Sequence, residues 1–142
     1  MALIVHKYGG TSMGSTERIA NVAKRVAKWM RAGHQVVVVP SAMSGETNRL
    51  LGLAKEINPD AHPRELDQIA STGEQVSSGL LALALMREGI DAVSYAGWQV
   101  TVHTDSSFTK ARIKSIESDK ILKDLNAGRA VVVTGFQGVD PN

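Results

Sequence analysis

The sequence predicts an α/β protein, a three-layer α/β/α sandwich around a mostly parallel sheet. Segments with the three- and four-residue apolar spacing of amphipathic helices alternate with short apolar, strand-like segments, an order typical of sheets covered by helices. The four consecutive valines at 36–39 lack the alternation of a half-exposed strand, which indicates a strand buried on both faces, as in parallel sheets. We therefore expect one doubly covered, largely parallel sheet.

The elements follow in the order βαβααβ(β)βαβ, and each has local support in the sequence. Strands are expected at residues 3–8, 35–39, 92–95 and 130–134, with weaker candidates at 99–103 and 111–115. Helices are expected at residues 16–32, 47–57, 63–70, 73–88 and 119–127. Ser15 or Thr16 can cap the first helix, and Gly33 is its natural end. In the helix at 73–88, the inward side chains are expected to include Val76, Leu80, Leu83, Ala84 and Met86.

Composition excludes several classes of protein. The 142 residues contain no cysteine, which rules out a disulfide framework, a thiolate zinc site and a thiol nucleophile. The length predicts a single domain, and 43% hydrophobic residues suffice for a core. The 16 basic and 14 acidic residues are spread along the chain, which favours solvated helix faces over a nucleic-acid surface. No signal-peptide pattern and no apolar run of bilayer length occur, so we expect a cytoplasmic protein without membrane contact.

Ligands of parallel α/β sheets bind beyond the carboxyl ends of the strands, so the loops after the strands (7–12, 40–47 and 134–138) are the candidate site. The first, the glycine loop (residues 9–14), lies between a strand and a helix. Gly9 and Gly10 allow several backbone amides to converge, the helix adds a partial positive charge, and Lys7 adds a full one. Such a loop can bind an anion, above all phosphate. A tight turn that is merely rich in glycine is the alternative.

Two catalytic motifs partly match the glycine loop. The Walker A pattern requires a lysine where Ser15 stands, so that interpretation fails. The nucleophile-elbow pattern G-x-S-x-G matches residues 10–14 and would make Ser12 the nucleophile of a hydrolase, with a histidine from elsewhere in the chain. Such a hydrolase also needs an acid; the candidate histidines are His34, His62 and His103, and the candidate acids are Asp60, Asp91 and Asp105. The hydrolase is the less favoured alternative because the pattern is short and common.

Two further segments carry polar groups at the same edge of the sheet. The segment 40–48 follows a buried strand, so the hydroxyls of Ser41, Ser44 and Thr47 can face a ligand. We call its residues 41–45 the serine loop. Capping of the next helix by Ser44 or Thr47 is the alternative. Glu74 begins a predicted helix, where the helix dipole alone explains a carboxylate. The functional alternative is that Glu74 binds the ammonium group of a ligand. The four histidines have no metal-ligand spacing.

Four sequence segments, taken in their order along the chain, indicate a family. They are Lys-Tyr-Gly-Gly-Thr-Ser at 7–12, Val-Val-Pro-Ser-Ala-Met-Ser-Gly-Glu-Thr-Asn at 38–48, Ser-Thr-Gly-Glu-Gln-Val-Ser-Ser at 71–78 and Val-Thr-Gly-Phe-Gln-Gly at 133–138. Together they closely resemble the start of the bacterial aspartokinases, a group within the amino acid kinase family. The resemblance covers the whole chain, and the first motif combined with the Thr-Gly-Glu helix is specific to this group. It implies the amino acid kinase, carbamate kinase-like fold.

The resemblance implies that ATP, with Mg²⁺, phosphorylates the β-carboxylate of L-aspartate, the first step toward lysine, threonine and methionine. A carboxylate with a pKa of about 3.9 is already a nucleophile at neutral pH and needs no general base. By similarity, the catalytic residue is Lys7, and the ATP- and phosphate-binding residues are Lys7, Tyr8, Gly9 and Gly10. The residues implied to bind aspartate are Thr11, Ser12, Ser41, Thr47 and Glu74. No metal ligand is expected in this chain, because ATP and residues outside it would hold Mg²⁺.

The resemblance also implies that residues 1–142 are the amino-terminal, substrate-binding part of a kinase domain. The family's Thr-Leu-Gly-Arg-Gly-Gly-Ser-Asp segment with its arginine and catalytic aspartate, the nucleotide base pocket and the ACT regulatory domains are absent from these residues. We therefore expect no turnover by the chain alone, homo-oligomers of the full-length protein, and an unfinished sheet edge at 130–134. A non-catalytic aspartate-binding or assembly module is the alternative.

Overall fold

A computed structural model describes residues 1–96, 99, 102–104, 113–116 and 119–134. The strands are β1 (Leu3–Tyr8), β2 (Gln35–Pro40), β3 (Ala92–Tyr95), β4 (Val102–Thr104), β5 (Ile113–Ile116) and β6 (Ala130–Val133). The helices are α1 (Thr16–Arg31), α2 (Glu46–Ile57), α3 (Pro63–Arg87) and α4 (Asp119–Asn126). The predicted order of elements is confirmed, but one continuous helix, α3, replaces the two helices expected at 63–70 and 73–88.

The main sheet has four strands in the order β1-β2-β6-β3, and every neighbouring pair runs parallel. β4 and β5 form a separate antiparallel pair. The mostly parallel sheet predicted from the sequence is therefore confirmed. The unfinished edge expected at 130–134 is wrong, because β6 lies between β2 and β3 and all four of its residues are buried. Crossover connections allow a strand that comes late in the chain to enter the middle of a parallel sheet.

Helices cover both faces of this sheet. On one face, Val26 of α1, Leu81 of α3 and Val38 of β2 are fully buried in the larger apolar cluster. On the other face, Leu125 of α4 packs with Val131 of β6 in a smaller cluster. This arrangement is the predicted α/β/α sandwich, and it places the loops after β1 and β2 next to the middle of α3.

α3 continues through Ser71, Thr72 and Gly73, where the sequence predicts a break. The Ser71 and Thr72 hydroxyls each donate to the carbonyl three residues earlier, at 2.8 and 2.7 Å, so both side chains are satisfied inside the helix. Gly73 is buried, and a Cβ at this position would lie 3.1 Å from the Ala42 Cβ. The glycine therefore permits a close contact between α3 and the serine loop instead of ending a helix.

The inward face of α3 also differs from the predicted one. Its buried residues are Ala70, Gly73, Ser77, Ser78, Leu81, Ala82 and Leu85. Of the residues expected to point inward, Leu80 and Ala84 are partly buried, but Val76 is 58% exposed and Leu83 is 62% exposed. The prediction is wrong for these two residues and for the half-exposed Met86. Apolar side chains occur on more than one face of α3, so their periodicity alone does not select the inward face.

A polar network fastens α4 to the sheet. Asp124 of α4 is 6% exposed and accepts hydrogen bonds from the Tyr95 hydroxyl, at the end of β3, and from Arg129 Nη1 at 2.9 Å. Arg129 Nε also donates to Asp91 Oδ2, next to the start of β3, at 3.3 Å. Because a buried charge is costly unless it is paired, these two donors allow the Asp124 carboxylate to lie against the sheet.

This network makes stability depend on pH in the alkaline range. The hydrogen bond to Asp124, together with burial, raises the pKa of Tyr95 from 10.0 to about 12. Because the pKa is higher in the folded state, the stabilisation is complete below about pH 10 and is lost as the pH rises to about 12. We expect the melting temperature to fall over this interval, and to fall less in Tyr95→Phe. Thermal unfolding followed by circular dichroism measures both.

Tyr8 is the matched control, because burial also raises its pKa although its hydroxyl contacts His6 rather than the α4 network. We therefore expect Tyr8→Phe to retain the fall in melting temperature between about pH 10 and 12 that depends on Tyr95, whereas Tyr95→Phe removes it. An identical pH profile for Tyr95→Phe and the unchanged protein would contradict the role given to the network.

Candidate active site

A cavity of about 350 Å³ opens where the glycine loop and the serine loop meet α2 and α3. Its lining residues are Gly10, Thr11, Ser41, Ala42, Met43, Ser44, Gly45, Thr47, Asn48 and Glu74. The structure thus brings together six residues that the sequence indicates for the site: Gly10, Thr11, Ser41, Ser44, Thr47 and Glu74. The cavity lies after the carboxyl ends of β1 and β2, the edge at which parallel sheets bind ligands.

The glycine loop is a tight turn anchored in the core. The Met13 amide donates to the carbonyls of Gly9 and Gly10, both at 3.2 Å, and the Met13 side chain is fully buried. The backbone amides at 10–12 donate to no acceptor in the described part of the chain. Consecutive amides of this kind are available to an anion. A tight turn and an anion-binding loop are alternatives in the sequence, but the structure is compatible with both at once.

The serine loop reaches the cavity without capping α2 through a side chain. Gly45 occupies the N-cap position with a φ of +79°, and no side-chain hydrogen bond caps the helix. Capping by Ser44 or Thr47 is therefore wrong as an explanation of these residues, because a left-handed glycine takes the capping position. The Ser41 amide donates to the Tyr8 carbonyl at 2.9 Å, which ties the serine loop to the end of β1.

Glu74 supplies the carboxylate of the cavity. It lies in the middle of α3, because that helix begins at Pro63 and not at Gly73. The helix dipole acts on charges in the first turn, so it does not explain a carboxylate at this position, and the dipole interpretation is wrong. The Oε2 atom of Glu74 is buried. A shielded carboxylate beside a ligand cavity suits a cationic group, because the attraction is stronger away from bulk water.

Four of the predicted site residues lie outside the cavity lining. Lys7 is exposed on β1, and Gly9 is exposed just after it. Tyr8 is 7% exposed; burial raises its pKa, and its hydroxyl lies 3.3 Å from His6 Nδ1. Ser12 is half-buried in the glycine loop. The roles implied for these four residues stay predictions, and a phosphate contact by Tyr8 would use its backbone, because its side chain belongs to the core. Apart from Thr134, the third candidate loop, 134–138, lies outside the described residues.

Asn48 lines the cavity, a role that the sequence pattern does not predict. It follows Thr47 in the first turn of α2, and its side-chain amide can both donate and accept hydrogen bonds. Its place beside Thr47 in the segment 38–48 was a usable signal. Met43, which also lines the cavity, is apolar and carries no comparable signal, so only the path of the serine loop reveals it.

The hydrolase interpretation of Ser12 finds no support in the described residues. Ser12 does not line the cavity, and no imidazole among these residues hydrogen-bonds to it. His34 Nδ1 instead accepts from a backbone amide near the N-terminus at 3.1 Å, and His62 Nδ1 accepts from a backbone amide at the start of α3 at 3.1 Å. The side chain of His103 lies outside the described residues.

The lining of the cavity combines one carboxylate with hydroxyls, a side-chain amide and backbone amides. This set fits a small molecule that carries an ammonium group and an anionic group. The carboxylate can pair with the ammonium group, and the neutral hydroxyls and amides can donate hydrogen bonds to the anionic group. Over the described ranges, no cluster of three His, Asp or Glu residues could hold a metal ion. None of the described helices is long and apolar enough to cross a bilayer.

The chain belongs to the amino acid kinase family, whose model matches residues 2–142. Within that family, it is 61% identical over 142 residues to an aspartokinase of Pseudomonas aeruginosa, covering 100% of this chain and 34% of that protein. The chain spans about a third of the length of the curated relatives it matches.

Solved structures show the same fold. The crystal structure of aspartate kinase from Synechocystis matches with a TM-score of 0.82 at 42% identity, over 94% of this chain and 22% of that one. Aspartokinase III of E. coli, crystallised with aspartate and ADP, matches with a TM-score of 0.83 over 99% of this chain and 42% of that one. At 21% identity, this second match supports the fold alone. The amino acid kinase fold and the resemblance to aspartokinases are thereby confirmed.

Two glycines of the glycine loop should respond differently to substitution. A methyl group at Gly10 would lie 3.8 Å from its nearest neighbours, whereas one at Gly14 would lie 3.2 Å from the Thr11 carbonyl oxygen, to which Arg18 donates. Neither glycine has a positive φ. We expect Gly10→Ala to leave the free energy of unfolding unchanged or to raise it by about 0.4–1 kcal/mol, and Gly14→Ala to lower it by about 1–3 kcal/mol. Urea unfolding measures the free energy of unfolding of each variant. Equal changes in the two variants would contradict the closer packing described for Gly14.

Proposed function

We propose that the protein containing this chain transfers the γ-phosphate of ATP to the β-carboxylate of L-aspartate, giving 4-phospho-L-aspartate for amino-acid biosynthesis. This chain supplies the aspartate-binding part. The observation that carries the proposal is the cavity, in which the Glu74 carboxylate shares one space with hydroxyls and amides of the two loops. The identity to aspartokinases over the whole chain supports the same reaction.

The groups of the cavity are complementary to those of aspartate. Glu74 pairs with the α-ammonium group, while the Thr47 hydroxyl donates to a carboxylate oxygen. The Ser41 hydroxyl gives up its hydrogen bond to the Ala42 carbonyl and donates its single proton to a carboxylate oxygen of the ligand. The β-carboxylate, with an unperturbed pKa of about 3.9, is ionised at neutral pH and attacks phosphorus without a general base. The rate then depends on how well the two substrates are aligned and on how well the charge of the transferring phosphoryl group is stabilised.

The glycine loop is suited to the phosphates of ATP. Its amides at 10–12 can donate to phosphate oxygens, and Lys7, which precedes the loop, adds a positive charge. When bound, Mg²⁺ neutralises phosphate charge. The described residues provide no acidic cluster for this ion, so in this proposal the phosphates and residues outside the chain hold it. The resemblance further supports a cytoplasmic, homo-oligomeric protein that binds neither nucleic acid nor membranes.

Lys7→Ala should abolish most of the turnover of the full-length protein. The lysine is exposed, so we expect an unchanged melting temperature and a kcat lower by about 10²–10³-fold, the effect of losing one transition-state donor. A coupled assay for ADP release measures kcat. Lys24→Ala, at an exposed position of α1, is the matched control and should keep normal turnover. Equal activity of the two variants would remove Lys7 from the mechanism.

Glu74→Gln should act on aspartate binding. It keeps the shape of the side chain and removes its charge, so we expect the KM for aspartate to rise by about 10–100-fold, with the KM for ATP unchanged. Steady-state kinetics with each substrate varied in turn give both constants. Glu56→Gln, at an exposed position of α2, should change neither. Unaltered aspartate kinetics in Glu74→Gln would refute the ammonium contact.

Residues 1–142 produced alone should bind aspartate weakly and turn over none of it, because the curated relatives are about three times as long. An aspartyl-hydroxamate assay tests the turnover, and calorimetry with aspartate tests the binding. ATP-dependent hydroxamate formation by this polypeptide would show that the chain contains a complete catalytic site.

A further inference from the structure

We propose that Ser77 is a positioning residue for aspartate binding: its hydroxyl holds the serine loop against α3, so that Ser41 stands at a set distance from Glu74. The inference rests on the proposed function and deepens it. It assigns a role to the end of the segment 71–78, which the direct contacts to aspartate leave unexplained.

The hydroxyl of Ser77 makes a long-range hydrogen bond. Ser77 is fully buried, and its Oγ donates to the Ser41 carbonyl at 2.6 Å, across 36 positions of the sequence. The same Oγ lies 3.2 Å from the carbonyl of Glu74, one turn earlier in α3. A hydroxyl has a single proton to donate, and the shorter distance identifies Ser41 as the main acceptor. The serine therefore ties two elements together and does not simply bond back within its own helix.

The backbone of Ser41 is held from two sides. Its amide donates to the Tyr8 carbonyl at 2.9 Å, and its carbonyl accepts from Ser77. The peptide groups around Ser41 are therefore fixed between the end of β1 and the middle of α3. Its own hydroxyl donates to the Ala42 carbonyl at 3.0 Å, and the residue lines the cavity. The hydrogen bonds to Tyr8 and Ser77 therefore fix the backbone of a serine that a ligand in the cavity would contact.

Gly73 sets the limit of approach for the same contact. It lies one turn before Ser77 in α3, and a Cβ there would be 3.1 Å from the Ala42 Cβ and 3.4 Å from the Glu46 Cγ. The hydrogen bond of Ser77 draws the serine loop toward α3, and the absence of a side chain at Gly73 allows it to come this close. Glu74 is carried by the same turn of helix, so these two contacts determine its distance from Ser41.

The next residue of α3 is a natural control. Ser78 is 2% exposed, and its Oγ has no hydrogen-bond partner in the described part of the chain. Ser77→Ala and Ser78→Ala remove the same atom from adjacent buried positions, but only the first removes a tie to the serine loop. A purely structural role predicts that both act on stability alone, whereas a positioning role predicts a selective effect of Ser77→Ala on aspartate.

The test is steady-state kinetics of the full-length protein, with aspartate and ATP varied in turn. We expect Ser77→Ala to raise the KM for aspartate by about tenfold, the effect of one hydrogen bond, and to change the KM for ATP by less than about twofold. Ser78→Ala should leave both constants unchanged. Gly73→Ala keeps the Ser77 hydroxyl but pushes Ala42 away, so it should also raise the KM for aspartate selectively. It provides the measurement if Ser77→Ala does not fold.

Each result decides between the proposals. If the unchanged protein does not phosphorylate aspartate, the proposed function fails, and the positioning role falls with it. If the unchanged protein is active but Ser77→Ala matches Ser78→Ala in its aspartate KM, only the positioning role is overturned. If Ser77→Ala does not fold, a normal aspartate KM in Gly73→Ala overturns the role, and a raised one supports it.

Discussion

Burial of β2 on both faces is the constraint on which the rest of the structure depends. β2 pairs with β1 on one side and β6 on the other. Its alternate valines enter opposite clusters, Val36 and Val38 with α1 and α3, and Val37 with α4. Because a buried strand must pair its backbone groups, β2 is held in register with β1 along its whole length. The glycine loop and the serine loop therefore leave the sheet side by side.

α3 completes the site because it crosses next to both loops. Glycine at position 73 lets it approach the serine loop, and the buried Ser77 hydroxyl fixes that contact. Glu74 is placed at the cavity by the same turn of helix. Among the described residues that line the cavity, the neutral groups come from the two loops and the first turn of α2, and the charged side chain comes from α3. Such a division suits an amino-acid ligand, because its two kinds of charged group are met by separate elements.

Local signals predicted most of the elements well and the contacts between them less well. The valines of β2 and the glycine-ended strand β1 identified a parallel sheet and its functional edge, because strand burial and turn chemistry act over a few residues. The break expected before Gly73 was wrong, since serine and threonine can bond back within a helix and a buried glycine can serve packing. Because of this expected break, the sequence places Glu74 in the first turn of a helix, where the helix dipole would stabilise its carboxylate. In the structure Glu74 lies in the middle of α3, so the dipole does not explain it.

By itself, the sequence determined the fold class, the succession of elements and the two loops that line the cavity, because hydrophobic period and glycine placement report on local conformation. Its motifs also identified the family. Only the tertiary structure decided that β6 lies inside the sheet, that Val76 and Leu83 face outward, and that Asn48 joins the cavity. These features depend on packing between residues far apart in the chain. Local periodicity contains no information about which distant surface each element meets, and burial against that surface decides the outcome.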